Sequence, residues 1–217
     1  MKKSVAVLGL GKYGSSLSEN LYRLGADVLA VDCSEELISD FTGRCTSAVC
    51  ANLSNEEEVA SLGLKNMDIV VVAMGGDLAA SIMSVTVAKE QGVPVVVAKA
   101  ASDRMATILK RVGADKILDP EGEGGIRSAH ILLSSNFKDF YELDENMYRV
   151  EMRPKHDWIG KNLIELDLRS KLNLNIVAVR RKGEHLHFVD PKTPFSQEDI
   201  LLIVSEKKNL KSIFDSK

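Results

Sequence analysis

The composition of this 217-residue chain already excludes several classes of protein. Hydrophobic residues make up 45%, charged residues 27%, and the formal net charge is −3, which is typical of a folded globular chain and argues against nucleic acid as a partner. No apolar run approaches the roughly 18 residues of a membrane span, and the N-terminus leads directly into an apolar run, so we expect neither a transmembrane helix nor a signal peptide.

Short apolar runs alternate with amphipathic segments over the first 120 residues or so, which predicts a doubly wound Rossmann α/β unit with a parallel six-stranded sheet. The predicted strands span residues 4–9, 28–32, 47–51, 69–73, 95–99 and 116–118, and the predicted helices span residues 13–24, 35–41, 55–61, 77–91 and 102–112. Ser54 and Glu57 have the spacing of a capping box at the third helix. The expected strand order of 3-2-1-4-5-6 places a ligand crevice at the carboxyl ends of strands one and four.

The sequence pattern changes after Pro120. A turn is predicted at residues 121–125, a helix at 126–135, and a connection without regular structure at 136–146. A small α+β unit follows, with strands at 148–152, 176–180, 185–189 and 200–205, a helix at 163–172 and a closing helix at 207–214. We therefore predict a Rossmann domain at residues 1–138 and a second domain at 139–217.

A glycine-rich turn is the most informative motif. The first predicted strand runs into Gly9-x-Gly11-x-x-Gly14, and a helix pattern follows at once. Gly9 permits the tight turn, Gly11 lets the backbone approach a pyrophosphate, and Gly14 lets the helix pack against the strand. Asp32 ends the next strand, where its carboxylate can accept hydrogen bonds from ribose hydroxyls. This combination predicts that the first domain binds an adenine nucleotide.

The sequence lacks the common catalytic motifs that would accompany a dinucleotide-binding fold or a hydrolase fold. About 80 residues remain after the Rossmann unit, and they contain no acid–base constellation for hydride transfer. The sequence has no Tyr-x-x-x-Lys pair, no P-loop and no Gly-x-Ser-x-Gly elbow. The four histidines fall outside the six strands and their crossovers: His130, His156, His185 and His187. We therefore expect a ligand-binding sensor rather than an enzyme.

The chain contains three cysteines, Cys33, Cys45 and Cys50, in no Cys-x-x-Cys spacing. Their odd number and spacing favour small buried thiols in a reducing compartment. A redox sensor is the alternative.

Segments spread over the whole chain resemble one family. They comprise residues 5–14, 31–32, 61–75, 98–100 and 112–121, followed by 159–169, 175–183 and 199–204 in the second unit. Of these, the Gly-Ala-Asp segment that leads to Pro120 and Glu121 is more specific than the glycine motif. In these segments the chain is similar to the RCK domain (regulator of potassium conductance) of the cytosolic TrkA/KtrA-type subunits of bacterial potassium uptake systems, and its second unit is similar to the RCK C-terminal domain.

The resemblance implies a regulatory subunit without enzymatic activity. Such subunits form homodimers through the helix after Pro120 and assemble into a homo-octameric ring. The ring lies at the inner face of the cell membrane, beneath a potassium-translocating partner of the TrkH/KtrB type, so a cytoplasmic, peripheral location is implied. ATP and ADP compete for the site in this family, and the ring changes shape between them.

The resemblance also implies roles for individual residues. Gly9, Gly11 and Gly14 would hold phosphates, Asp32 would bind ribose, and Asn52 would lie beside adenine. The remaining residues assigned to this site are Lys12, which would meet a terminal phosphate, Tyr13, Cys33, Leu53, Met74, Gly75 and Lys99. Glu121 would help to hold Mg²⁺ or another divalent cation at the ATP phosphates, because a carboxylate beside a triphosphate is repulsive unless a cation lies between them.

Two further ligands follow from the sequence and the resemblance. Several related C-terminal units bind cyclic di-AMP, and the matching residues here are Ile164, Arg169, Asn175, Ile176 and Ala178, which would serve equally well in a plain dimer core. Asp32 also suits NAD(H), because NAD carries the same free 2′-hydroxyl. An NAD(H)-binding oxidoreductase or NADH redox sensor therefore stays open as the alternative function.

Overall fold

The computed structural model describes residues 2–133 and 137–209. Contacts divide the chain into two compact units, Met1–Glu121 and Gly122–Lys217. The predicted boundary between the two domains, at residue 138, stays a prediction.

The first unit is built on a parallel six-stranded sheet in the order β3-β2-β1-β4-β5-β6, which confirms the predicted Rossmann topology. Its strands are β1 (Ser4–Leu8), β2 (Asp27–Asp32), β3 (Ser47–Cys50), β4 (Ile69–Val72), β5 (Val95–Lys99) and β6 (Lys116–Leu118). The central strands are almost fully buried because helices cover both faces, and this explains why they read as continuous apolar runs. The change of direction between β1 and β4 opens the crevice in which doubly wound folds bind ligands.

Five helices connect these strands: α1 (Lys12–Arg23), α2 (Glu35–Phe41), α3 (Glu56–Ser61), α4 (Leu78–Glu90) and α5 (Asp103–Arg111). The N-cap of α3 is Asn55, whose side chain accepts hydrogen bonds from the N–H groups of Glu57 and Glu58. The predicted capping box that starts at Ser54 is therefore wrong. Asn is as good an N-cap as Ser, and the Ser54 N–H is held by the side chain of Asn52 at 3.0 Å instead.

Helix α6 (Pro120–Leu133) replaces the predicted turn at residues 121–125, which is therefore wrong. Pro120 occupies the first helical position, where proline is pre-organised for helix and its missing N–H costs nothing. The glycines that follow lower helix propensity without preventing the helix. The helix predicted at 126–135 is confirmed as far as Leu133, and residues 134–135 lie outside the described ranges.

The second unit contains an antiparallel five-stranded sheet in the order β10-β9-β11-β8-β7. Its strands are β7 (Phe137–Glu142), β8 (Met147–Met152), β9 (Asn175–Arg180), β10 (His187–Phe188) and β11 (Ile200–Glu206). One face of the sheet packs against Trp158 and the leucines of α7 (Leu163–Leu166) and α8 (Leu168–Leu172). The predicted small α+β unit is thus confirmed.

Several local predictions for this unit are wrong. The segment predicted as an irregular connection forms β7, and a register shift between Phe137 and Asp139 breaks the alternation that would have revealed it. The helix predicted at 163–172 is interrupted at Asp167, whose φ of 47° is left-handed. The strand predicted at 185–189 is reduced to β10. Of the predicted closing helix, only the 3₁₀ turn Lys207–Asn209 falls within the described residues.

Within the part of the chain that the structure describes, no helix has both the length and the apolar character to cross a membrane.

Candidate nucleotide-binding site

The glycine-rich turn after β1 has two glycines that the fold itself requires. Gly9 has φ +98°, and a Cβ there would stand 2.6 Å from Cγ of Met74. A Cβ at Gly14 would overlap the carbonyl oxygen of Gly9. At Gly11, in contrast, a Cβ would meet no atom within 4 Å. Open space at Gly11 is what a site for a closely approaching ligand would require.

Helix α1 begins directly after this turn. Its N-cap is Gly11, which has no side chain to cap the helix, and its first residue is the exposed Lys12. The N-terminus of a helix carries N–H groups without intrahelical partners and a partial positive charge, which together attract phosphate. The lysine adds a full positive charge at the same end.

The carboxylate of Asp32 joins the end of β2 to the glycine-rich turn. Its Oδ2 accepts a hydrogen bond from the N–H of Leu10 at 2.6 Å, and its Oδ1 accepts one from the N–H of Ser34 at 3.0 Å. Each carboxylate oxygen has a second lone pair, so Asp32 retains acceptor capacity for ribose hydroxyls. The residue therefore both positions the turn and offers a binding group.

A pocket of about 240 Å³ lies beside Asp32. It brings together five residues predicted from the sequence: Asp32, Cys33, Asn52, Leu53 and Met74. It also includes three that were not predicted: Ser54, Asp77 and Ala80. Asp77 caps α4 by accepting a hydrogen bond from the Ala80 N–H at 2.9 Å. The signal that could have found it is an Asp that follows a buried strand and precedes an apolar helix.

A second group of predicted residues surrounds Lys99, at the end of β5. Its Nζ forms an ion pair with Glu121 and lies 5.7 Å from the centre of the Tyr13 ring. A Cβ at Gly75 would stand 3.1 Å from Cε of Lys99, so the lysine stem runs along that glycine. The Lys99 side chain is only 12% exposed, whereas that of Glu121 is 65% exposed. One largely buried cation is thus placed beside one accessible carboxylate.

Glu121 offers a single carboxylate to a divalent cation. Among residues 2–133 and 137–209, no three His, Cys, Asp or Glu side chains are grouped so that they could hold a metal ion by themselves. Mg²⁺ bound to nucleotides commonly takes one or two carboxylates and completes its shell with phosphates and water. A single exposed carboxylate such as Glu121 fits that pattern only together with nucleotide phosphates.

The prediction of three buried thiols is wrong for two of them. Cys45 is buried, whereas Cys33 and Cys50 are exposed. Cys33 lies beyond the end of β2 and lines the pocket, and Cys50 ends the edge strand β3. Strand β3 is an edge strand and its residues are mostly exposed, which accounts for Cys50.

The residues predicted for cyclic di-AMP lie on three elements of the second unit. Ile164 is 62% exposed on α7, Arg169 is exposed on α8, and Asn175, Ile176 and Ala178 belong to β9. Ala178 is buried, with 5% exposure. A cavity of about 560 Å³ beside α7 and α8 is lined by Trp158, Lys161, Lys171 and neighbouring residues, and it includes none of the five.

Comparison with known proteins identifies the family. The TrkA-N domain matches residues 5–120 and the TrkA-C domain matches residues 147–216. The chain is 36% identical to the Ktr system potassium uptake protein C of Bacillus subtilis (strain 168), over 94% of this chain and 92% of that protein. It is 33% identical to the Ktr system potassium uptake protein A of the same organism, over 96% of this chain and 94% of that protein.

Solved structures confirm the fold. The GsuK channel bound to NAD superimposes with a TM-score of 0.69 at 13% identity, over 100% of this chain and 40% of the channel chain. Two domain matches and two relatives above 30% identity all point to the same assignment. The chain belongs to the TrkA/KtrA family of RCK proteins and is homologous to the subunits of Ktr potassium uptake systems.

Proposed function

We propose that this protein is a cytosolic regulatory subunit of a potassium uptake system, switched by the exchange of ATP and ADP in the crevice of its first unit. The observation that carries the proposal is the convergence of the glycine-rich turn, Asp32 and the 240 Å³ pocket at the carboxyl ends of β1 and β4. This is the position at which doubly wound folds bind nucleotides. Membership in a potassium uptake family supports the physiological setting.

Discrimination between ATP and ADP is assigned to the charged residues around the third phosphate. Lys12 and Lys99 supply positive charge, and the accessible carboxylate of Glu121 repels a terminal phosphate unless a cation separates the two. Mg²⁺ or another divalent cation, held by Glu121 together with the phosphates, would supply that neutralising charge. ADP lacks the third phosphate and therefore needs no such cation at Glu121.

Regulation requires that the two nucleotides favour different conformations. A ligand shifts a conformational equilibrium only through unequal affinity for the two states, and no covalent reaction is needed. In the proposed assembly, homodimers form an octameric ring beneath a membrane subunit of the TrkH/KtrB type. The ring would transmit the difference between ATP-bound and ADP-bound protein to the potassium path.

Binding of NAD(H), by an oxidoreductase or an NADH redox sensor, is the second candidate. Asp32 accepts hydrogen bonds in a way that suits the 2′-hydroxyl of NAD as well as that of ATP. The GsuK channel, which shares the fold, has been solved with NAD. This candidate leaves the Lys99–Glu121 pair without a role, and for that reason we favour the ATP/ADP switch.

Calorimetric titration of the purified protein tests the proposal. The protein is titrated with ATP, ADP, NADH and NAD, each with and without Mg²⁺, and folded Gly11→Ala protein serves as the control that should bind none of them. Binding of ATP and ADP, with a Mg²⁺ effect on ATP alone, supports the proposal. Preferential binding of NADH favours the second candidate instead.

A second nucleotide site for cyclic di-AMP is proposed in the C-terminal unit. Arg169 is exposed and its guanidinium can pair with a phosphate. The test is a titration with cyclic di-AMP of the full-length protein and of the Arg169→Ala variant. Arg153→Ala, at another exposed arginine of the same unit, is the matched control. If Arg169→Ala binds cyclic di-AMP with unchanged affinity, Arg169 does not contact the ligand and the predicted cyclic di-AMP site is wrong.

A further inference from the structure

Cys33 and Cys50 form a pair at the rim of the proposed nucleotide pocket. Their strands are adjacent, and Asp32, the residue before Cys33, is the direct partner of Cys50 in the parallel ladder. Cys33 follows β2 in a bend, so the chain leaves the regular ladder there and the alternation of strand side chains does not fix the direction of the Cys33 side chain. A disulfide forms between cysteines whose Cα atoms are about 4.4–6.8 Å apart and whose Cβ atoms converge, which is the geometry that the proposal below requires of this pair.

The side chain of Cys50 is already directed toward Cys33. Its Sγ lies 3.4 Å from the carbonyl oxygen of Cys33, to which the thiol donates a hydrogen bond. Both cysteines are exposed, so a small oxidant has access to them, whereas Cys45 is buried. Only Cys33 of the pair lines the pocket.

We propose that Cys33 and Cys50 are a peroxide-sensitive dithiol pair, and that their oxidation to a disulfide weakens nucleotide binding in the adjoining pocket. The sulfur of Cys33 attacks a hydroperoxide. An S–O bond forms, the O–O bond breaks, and the leaving oxygen takes up a proton to give water when the oxidant is hydrogen peroxide. The sulfur of Cys50 then attacks the resulting sulfenic acid, forming the S–S bond and releasing a second water. Two thiols lose two electrons and two protons, and one peroxide is reduced to two waters.

The order of these two steps follows from the surroundings of Cys50. Partial desolvation raises the pKa of its thiol, and the negative charges of Glu35, Cys33, Asp32 and Glu58 raise it further. A raised pKa lowers the thiolate fraction of Cys50, which disfavours Cys50 as the thiol that attacks the peroxide first.

The effect on the pocket follows from the loops that line it. Cys33 belongs to the loop after β2, and Cys50 precedes Asn52 and Leu53 on the loop after β3. A disulfide between them would fix the spacing of these two loops. This part of the inference rests on the proposed nucleotide site.

The experiment treats reduced full-length protein with millimolar hydrogen peroxide and blocks the remaining thiols. Trypsin cuts after Arg44 and so separates Cys33 from Cys50, and a link between the 24–44 and 45–65 peptides is then sought by mass spectrometry. ADP affinity is measured before oxidation, after it, and after reduction with dithiothreitol. We expect the link, a loss of affinity of roughly tenfold, and its recovery on reduction.

Cys50→Ser is the control variant, because Cys50 does not line the pocket. It should bind ADP like the parent protein, and it should lose both the peptide link and the peroxide effect. A link that persists in Cys50→Ser, exclusively intermolecular crosslinks, or equal ADP affinity of the linked and reduced forms would overturn the proposal. Failure of the reduced protein to bind any nucleotide would instead overturn the proposed function, while formation of the disulfide would still be decided by the peptide map.

Discussion

The carboxylate of Asp32 accepts a hydrogen bond from the backbone N–H of Leu10, with 2.6 Å between the oxygen and the nitrogen. Leu10 stands between Gly9 and Gly11 in the glycine-rich turn and is 2% exposed. The residue proposed to bind ribose thus also fixes the turn proposed to bind phosphate. One side chain thus connects the proposed ribose site with the proposed phosphate site. Its replacement should therefore affect stability as well as binding.

Replacement of Asp32 should separate these two roles. Asp32→Ala leaves the Leu10 N–H without its acceptor, and we expect the free energy of unfolding to fall by about 1–3 kcal/mol. Asp32→Asn retains an oxygen acceptor, so its stability loss should be smaller although ribose binding weakens. Denaturant unfolding and ADP titration of both variants measure the two effects. If Asp32→Ala is as stable as the parent protein, the structural role is wrong.

The glycine-rich turn offers a matched pair of substitutions. Gly11→Ala adds a methyl group into open space, so the free energy of unfolding should change by no more than about 0.5 kcal/mol while nucleotide binding is lost. Gly14→Ala drives a methyl group into the carbonyl of Gly9 and should destabilise the fold, by about 1–3 kcal/mol. Thermal unfolding and calorimetry of the two variants give the comparison. Retained nucleotide binding by folded Gly11→Ala protein would refute the phosphate site.

Glu121→Gln should weaken ATP binding in the presence of Mg²⁺ and leave ATP binding without Mg²⁺ almost unchanged. The substitution removes one charged ligand, and we expect roughly a tenfold loss of ATP affinity in Mg²⁺ with ADP affinity almost unchanged. Titrations with and without Mg²⁺ measure this difference. Glu123→Gln, at an exposed carboxylate two residues further along α6, is the control. Equal losses for ATP and ADP would argue against a cation at Glu121.

The His130 ring stacks on Phe140 with 3.8 Å between ring centres, and burial lowers the pKa of this histidine, an effect that Glu142 partly offsets. A histidine whose pKa is lower in the folded state binds its proton more readily when unfolded. Its contribution to stability is therefore complete above the unfolded value of about 6.5 and is lost as the pH falls from there toward the folded value.

Melting temperatures of the parent protein and of His130→Phe between pH 8 and pH 5 test this dependence. Phenylalanine keeps the stacked ring but cannot take up a proton. The parent protein should lose more stability than the variant as the pH falls through 6.5. Parallel curves for the two proteins would show that His130 does not contribute.

The features that sequence predicts well here are those fixed by local pattern. Continuous apolar strands, the glycine-rich turn and Asp32 at the end of β2 were enough to predict the strand order and the position of the crevice. Four of the eight pocket residues, Cys33, Asn52, Leu53 and Met74, were predicted only through the family resemblance. Strand β7 was missed because the register shift after Phe137 breaks its alternation, and the start of α6 was missed because three of its first six residues are glycines. Contacts between distant residues, such as that of Lys99 with Glu121, depend on how β5 and α6 meet and have no local signature.

The central claim is that ATP and ADP select different conformations of this protein. Small-angle X-ray scattering of the full-length protein, saturated in turn with ATP plus Mg²⁺ and with ADP, tests it most directly. We predict two distinct scattering curves, and we predict that Gly11→Ala protein gives the same curve under both conditions. If the parent protein is shown to bind each nucleotide and the scattering curves of the ATP–Mg²⁺ and ADP complexes are nevertheless superimposable, the proposal that nucleotide exchange is the switch is contradicted.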